Sequence, residues 1–248
     1  MAKTLLVTGG SRGIGAAVAR HAAADGYDVA LTYADDSAAA RSVVDEIEAA
    51  GRRAVALRAD VAREADVVAV FAALDDFFGA PDAVVLNAGI TGSFARVDEL
   101  DIAMLERVLA VNVTGAFLCA REAVRRMSTA HGGRGGAIAF VSSRAASLGS
   151  PGEYVHYAAS KGAVNTLTIG LAKEVAREGV RVNAIAPGLI ATEIHARAGR
   201  PERLGRIAAA VPMERAGTAD EVAAAILWIV SPAASYVTGA ILDVGGGR

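Results

Sequence analysis

The chain has 248 residues, 53% of them hydrophobic, and a formal charge of −2, which suits one large domain with a substantial core. Without a long Lys/Arg block, electrostatic binding to nucleic acid or to an anionic membrane is excluded as its main business. One cysteine, Cys119, excludes an intramolecular disulfide, and four histidines without paired cysteines give no metal-site spacing.

The N-terminus, MAKTLLVTGG, runs at once into an apolar strand pattern and lacks signal-peptide architecture, so a cytoplasmic location is expected. The spacing predicts a strand over 4–8 and a helix over 14–24, then a strand over 28–33 and a helix over 37–50. A strand over 54–58, a helix over 65–78 and a strand over 83–86 follow. Next come a long helix over 105–129, a strand over 137–141, a helix over 154–178, a strand over 181–186, a helix over 220–231 and a strand over 240–244. No apolar run is expected to reach membrane-spanning length. Short apolar strands alternating with helices argue for an α/β fold with a single Rossmann-type, doubly wound parallel sheet flanked by helices on both faces. No linker divides the chain, so 1–248 reads as one dinucleotide-binding and catalytic domain. The irregular stretch 189–217 is the expected substrate lid. Cys119 sits in a helix pattern and reads as a buried, unreactive thiol.

The run TGGSRGIG at 8–15 lies between the first strand and the first helix. Gly9, Gly13 and Gly15 remove Cβ atoms where backbone must approach a pyrophosphate and where helix must pack on strand. The helix N-terminus then offers unpaired N–H groups and a positive dipole end to an anion. Arg12 within this turn suits a bidentate contact with the 2′-phosphate of NADP. Strand two ends in Thr32-Tyr33-Ala34, and acids arrive only at Asp35 and Asp36, which either reach the ribose or cap the next helix with Ser37. NADP(H) is favoured and NAD(H) remains possible.

Tyr157 and Lys161 stand four apart in HYAASKGA, on one face of the predicted helix. An ammonium beside a phenol favours the phenolate. Moving its pKa from about 10 towards 7 amounts to roughly 4 kcal/mol of differential stabilisation. Such a phenol is a usable acid/base near neutral pH.

These motifs, with ADV at Asp60, NAG at Asn87, AVNVTG around Asn112, VSS at Ser142 and Ser143, and PGLIAT from Pro187 to Thr192, resemble in order and along the whole chain the short-chain dehydrogenase/reductase family. From Leu148 to the C-terminus the chain most resembles bacterial glucose-dehydrogenase-like or 3-oxoacyl-carrier-protein-reductase-like members. The resemblance implies an NAD(P)(H)-dependent oxidoreductase moving hydride between nicotinamide and a carbonyl or secondary alcohol. It implies catalytic Asn112, Ser143, Tyr157 and Lys161: Ser143 bonding the substrate oxygen, Tyr157 exchanging its proton, Lys161 also reaching the nicotinamide ribose, and Asn112 holding a water that links Lys161 to solvent. Cofactor contacts are implied at Gly9, Ser11, Arg12, Gly13, Ile14, Gly15 and Tyr33. Asp60 and Val61 would hold the adenine, and Asn87, Ala88 and Gly89 would lie along the cofactor. Pro187, Gly188, Ile190 and Thr192 would flank the nicotinamide, with Tyr157 and Lys161 beside it. No metal is implied.

One departure stands out. The family's serine usually precedes the tyrosine by thirteen residues, a position held here by Arg144, whereas Ser143 precedes Tyr157 by fourteen. Arg144 or Glu153 either contacts a polar substrate or serves the loop. The substrate is a small carbonyl or alcohol, with an acyl carrier protein or a sugar or polyol as the competing specific choices. A basic rim from Arg125, Arg126, Arg134 and Arg144 would favour the acidic carrier. A non-catalytic NADP-binding sensor or scaffold is the alternative of a different class. Family members are commonly homotetramers, which the resemblance carries over as an expectation.

Overall fold

The computed structural model describes residues 2–192, 208–209 and 211–248. The lid expected over 189–217 therefore falls, at 193–207 and 210, outside the described residues. Among those described, seven strands form one parallel sheet: β1 (Lys3–Val7), β2 (Tyr27–Tyr33), β3 (Ala54–Arg58), β4 (Ala83–Leu86), β5 (Gly136–Val141), β6 (Val180–Pro187) and β7 (Ile241–Val244), in the order β3-β2-β1-β4-β5-β6-β7.

Alternation along the strands builds two cores. Leu5 and Val7 point into a layer made with α1 (Gly13–Ala24) and α2 (Ser37–Ala49), which the helix Ala219–Val230 (α8, by chain order) completes. Leu6, Ile138 and Phe140 point the other way, against α3 (Glu64–Phe78), α5 (Gly115–Met127) and α7 (Val155–Val175). Leu5, Leu6 and Val7 have no solvent exposure, and burying each such side chain contributes about 1.5–3 kcal/mol. A strand covered on both faces has no polar side to show, which is why β1 reads as a continuous apolar run. Neighbours β1 and β4 mark the point where the strand order reverses, so a crevice opens at the carboxyl ends of these strands.

Local signals set most boundaries. The Asp36 side chain accepts from Ala39 N at 2.9 Å and caps α2, and Thr218 with Glu221 forms a reciprocal capping box at α8. The predicted helix over 105–129 starts earlier, at α4 (Ile102–Leu109), because Asp101 caps it through Met104 N. A π turn, Ala110–Thr114, joins α4 to α5. A four-residue helix, α6 (Ala145–Leu148), fills what reads in sequence as plain loop.

The joined helix Ile102–Met127 also corrects one expectation: by length and composition it is apolar enough to cross a membrane. The π turn makes one long element of two shorter patterns. Its buried polar groups have partners within the fold: Glu122 is ion-paired to Arg125 and Arg126, and the helix packs on α3, α7, β4 and β5. Cys119 is buried on it, and burial pushes its thiol up to about 12, so it stays protonated.

Candidate active site

The turn after β1 is held from two sides. Thr8 Oγ1 accepts from Asn87 N and Ala88 N at 3.0 Å each, while Asn87 Nδ2 donates to Thr8 O at 2.9 Å and Gly9 O at 3.0 Å. Gly9 takes φ +66°, and at Gly15 a Cβ would stand 2.3 Å from Gly9 O and 2.6 Å from Asn87 Nδ2. Gly15 therefore lies beneath the turn rather than in the cleft. Arg12 is the N-cap of α1 but makes no side-chain cap bond, so the first N–H groups of the helix remain for an anion. Gly15→Ala must displace backbone, and is expected to weaken NADPH binding by more than about ten-fold with the far-ultraviolet circular dichroism unchanged; fluorescence titration checks it.

From this turn a cleft of about 1270 Å³ runs along the carboxyl edge of the sheet. At the β2 end, Arg12 Nη1 pairs with Asp36 at 2.9 Å, so Asp36 both caps α2 and faces the guanidinium. Asp35 and Tyr33 line the cleft beside them. Asp60 accepts from Ala62 N at 3.1 Å and pairs with Arg107 at 2.9 Å. Although desolvation works to raise it, the hydrogen bonds and cations around Asp60 hold its carboxyl below the usual range. Val61 lines the wall beside it.

At the other end lie Ser143, Tyr157 and Lys161. The pairing with β6 continues past the end of β5, through Ser142 N to Ile185 O at 2.7 Å and Arg144 N to Pro187 O at 2.9 Å, which fixes Ser143 at the carboxyl edge of the sheet. Ser143 Oγ accepts from Ala145 N at 3.1 Å and keeps its own proton to donate. Ser142 is buried, and its hydroxyl donates to Asn165 Oδ1 at 2.6 Å. Between Ser143 and Tyr157 the chain runs through α6 and the turns after it, where Ser150 takes φ +47°.

Lys161 is 4% exposed. Its Nζ donates to Val141 O at 2.7 Å and stands 5.8 Å from the centroid of the Tyr157 ring. Burial lowers the ammonium to about 8. Asn112 sits in the π turn behind the cleft and does not line it. Its Oδ1 accepts from Ile90 N at 2.9 Å, and its Nδ2 donates to Ile90 O at 2.8 Å and Ser160 Oγ at 2.9 Å. Ser160 Oγ in turn donates to Tyr157 O at 2.7 Å. Asn112 thus ties the segment after β4 to the Tyr-bearing helix.

The remaining expected residues, Ser11, Gly13, Ile14, Ala88, Gly89, Pro187, Gly188, Ile190 and Thr192, all line the same cleft. Close approach without Cβ atoms, the open helix N-terminus, and a guanidinium at the β2 end fit a nicotinamide dinucleotide laid along it. Arg107, Ser160 and the Thr8 hydroxyl were missed in sequence. Ser160 stands three after Tyr157, a spacing that could have flagged it, whereas Arg107 carries no local signal. His156 is buried one residue before Tyr157, its Nε2 2.9 Å from Thr91 O, away from any role as base.

A family model described as "Enoyl-(Acyl carrier protein) reductase" matches residues 9–248. The "Uncharacterized oxidoreductase YgfF" of Escherichia coli is 53% identical over 98% of this chain and 98% of its own length. "Glucose 1-dehydrogenase 2" of Bacillus subtilis is 38% identical over 99% of this chain and 94% of its own. Among solved structures, a short chain dehydrogenase from Burkholderia cenocepacia in complex with NADP superimposes with a TM-score of 0.89 at 35% identity, covering 99% of this chain and 97% of that one.

Proposed function

The chain belongs to the short-chain dehydrogenase/reductase family of NAD(P)-dependent oxidoreductases, and we propose that it is a cytosolic NADP(H)-linked enzyme acting on a small hydroxylated carbonyl or the matching secondary alcohol. The observation that carries this reading is one continuous cleft with the glycine turn and Arg12 at one end and Ser143, Tyr157 and buried Lys161 at the other. When bound, the nicotinamide supplies or takes up the hydride.

The chain's own residues do the rest. In the reducing direction, Ser143 donates to the substrate oxygen as negative charge grows there, and Tyr157 passes its phenolic proton to that oxygen. The Lys161 ammonium, held by Val141 O, favours the phenolate left behind. Asn112 acts indirectly, by fixing Ser160 and Ile90 and with them the pitch of α7 against the cleft. Oxidation of the alcohol runs the same transfers backwards.

The guanidinium of Arg12 favours NADP. A 2′-phosphate carries the complement to the guanidinium, while Asp36 at 2.9 Å offsets part of that attraction. Arg12→Ser is therefore expected to weaken NADPH at least about ten-fold and leave NADH within two-fold, as read by fluorescence titration with both nucleotides. Equal losses for both would remove Arg12 as the discriminating group.

For the substrate, Ser93, Ser143, Ser150 and Glu153 give the open end hydroxyl and carboxylate partners, which suit a sugar or polyol. An acidic carrier protein would need a basic rim. Arg125 and Arg126 instead pair with Glu122, Arg126 also with Asp75, and Arg134 lies 3.9 Å from Asp82; none of these three lines the cleft. Arg144 does line it, but its guanidinium is paired with Asp243. Turnover of glucose and other polyols with NADP⁺ should exceed that of an acetoacetyl thioester with NADPH. The reverse order would reassign the enzyme to acyl substrates.

A further inference from the structure

Arg144 stands thirteen residues before Tyr157, the spacing usual for the family's serine, but its side chain is turned to another task. Nε donates to Arg248 O at 2.7 Å, and Nη1 reaches the Asp243 carboxylate on β7 and, at 3.4 Å, Ser147 Oγ. The side chain is 19% exposed. Its stem packs on Gly245, where an added Cβ would lie 3.2 Å from Arg144 Cγ. Residues 245–248 are thereby pinned beside Ser143, and Arg248 itself lines the cleft. The segment is also bonded through Met213 N to Gly246 O at 3.1 Å, and the end of β7 before it through Gly188 N to Val244 O at 2.9 Å.

We propose that Arg144 is a positioning residue: its guanidinium latches residues 245–248 against the Ser143 loop, and so sets the wall of the substrate end of the cleft. A planar fork serves a carboxylate and a carbonyl together, which a lysine ammonium on one flexible stem does not reproduce. The backbone of Arg144 separately bonds Pro187 O, so the backbone expected to flank the nicotinamide stays held when the guanidinium is removed. The inference rests on the proposed dehydrogenase reading for its kinetic effect but not for the latch itself.

The test compares wild type with Arg144→Ala, Arg144→Lys, Asp243→Asn and the Arg144→Ala/Asp243→Asn double variant. Hydrogen exchange of the cofactor-free protein should accelerate in Arg144→Ala at residues 245–248 and 211–213, and stay unchanged at 8–15. With the best polyol or ketone from a panel, KM should rise at least about ten-fold in Arg144→Ala, with the NADPH Kd within two-fold. Arg144→Lys should recover only part of the loss, and the double variant should be no worse than Arg144→Ala. Unchanged exchange at 245–248 would overturn the latch, and so would an NADPH Kd that rises in step with KM. If wild type turns over no carbonyl, the dehydrogenase reading falls while exchange still decides the latch.

Discussion

Tyr157→Phe is expected to bind NADPH within two-fold of wild type and to lose carbonyl reduction by about 10²–10⁴-fold, the range a single positioned proton donor supplies. Only one oxygen is removed. The ring still fills its place on α7, and Ser160 still bonds the residue's main-chain oxygen, as it does at 2.7 Å. Ser143 keeps its hydroxyl and the glycine turn is untouched, so polarisation of the substrate and cofactor affinity both survive. The split between intact binding and absent turnover also separates an enzyme from a nucleotide-binding scaffold. A scaffold would lose nothing measurable on this substitution, because it has no proton to deliver.

Lys161 carries the second large effect, with opposite signs for activity and stability. Burial brings its ammonium from 10.5 to about 8, so holding the charge in the fold costs about 3 kcal/mol at neutral pH. The Val141 carbonyl returns part of this, about 1 kcal/mol for one hydrogen bond. Lys161→Met should then reduce turnover at least about 10²-fold and yet stabilise the cofactor-free protein by about 2 kcal/mol at pH 7. The sign with pH follows from linkage. Between pH 8 and 10.5 the unfolded chain binds the proton and the native state does not, so wild-type stability rises with pH there. The cost is fully present below pH 8 and gone above 10.5. Thermal unfolding of both proteins at pH 7 and pH 10 should show the variant's advantage shrinking; a constant gap would contradict a buried charge as its cause. The same deprotonation should make reduction fall as pH rises through about 8, since a neutral amine no longer favours the phenolate.

Residues whose role depends on near neighbours in the chain were legible in the sequence. The glycine turn, the Tyr157/Lys161 spacing and the alternation of strands with helices are all local patterns, and β3 and β4 fall on their predicted bounds. What was not legible depends on partners far along the chain. Asn112 finds its partners at Ile90 and Ser160, and Arg107 on α4 finds Asp60, 47 residues earlier in the chain. The π turn that presents Asn112 inserts its extra residue without a glycine or proline to announce it. Helix α6 was hidden because four residues give too short a window for a periodic signal. Arg144 looked like a loop residue near a substrate mouth; its commitment to Asp243 and Arg248 became visible only when β7 was set beside β6.

In the proposed enzyme, one cleft joins an NADP(H) site to a proton-transfer group at Tyr157. The most direct measurement is NADPH consumption at 340 nm across a panel of aldehydes, ketones and keto-sugars, with Tyr157→Phe run in parallel. At least one carbonyl should oxidise NADPH with wild type, and Tyr157→Phe, though it binds NADPH, should leave it unconsumed. Consumption by the two proteins at equal rates, or tight NADPH binding by wild type with no carbonyl reduced, would contradict it.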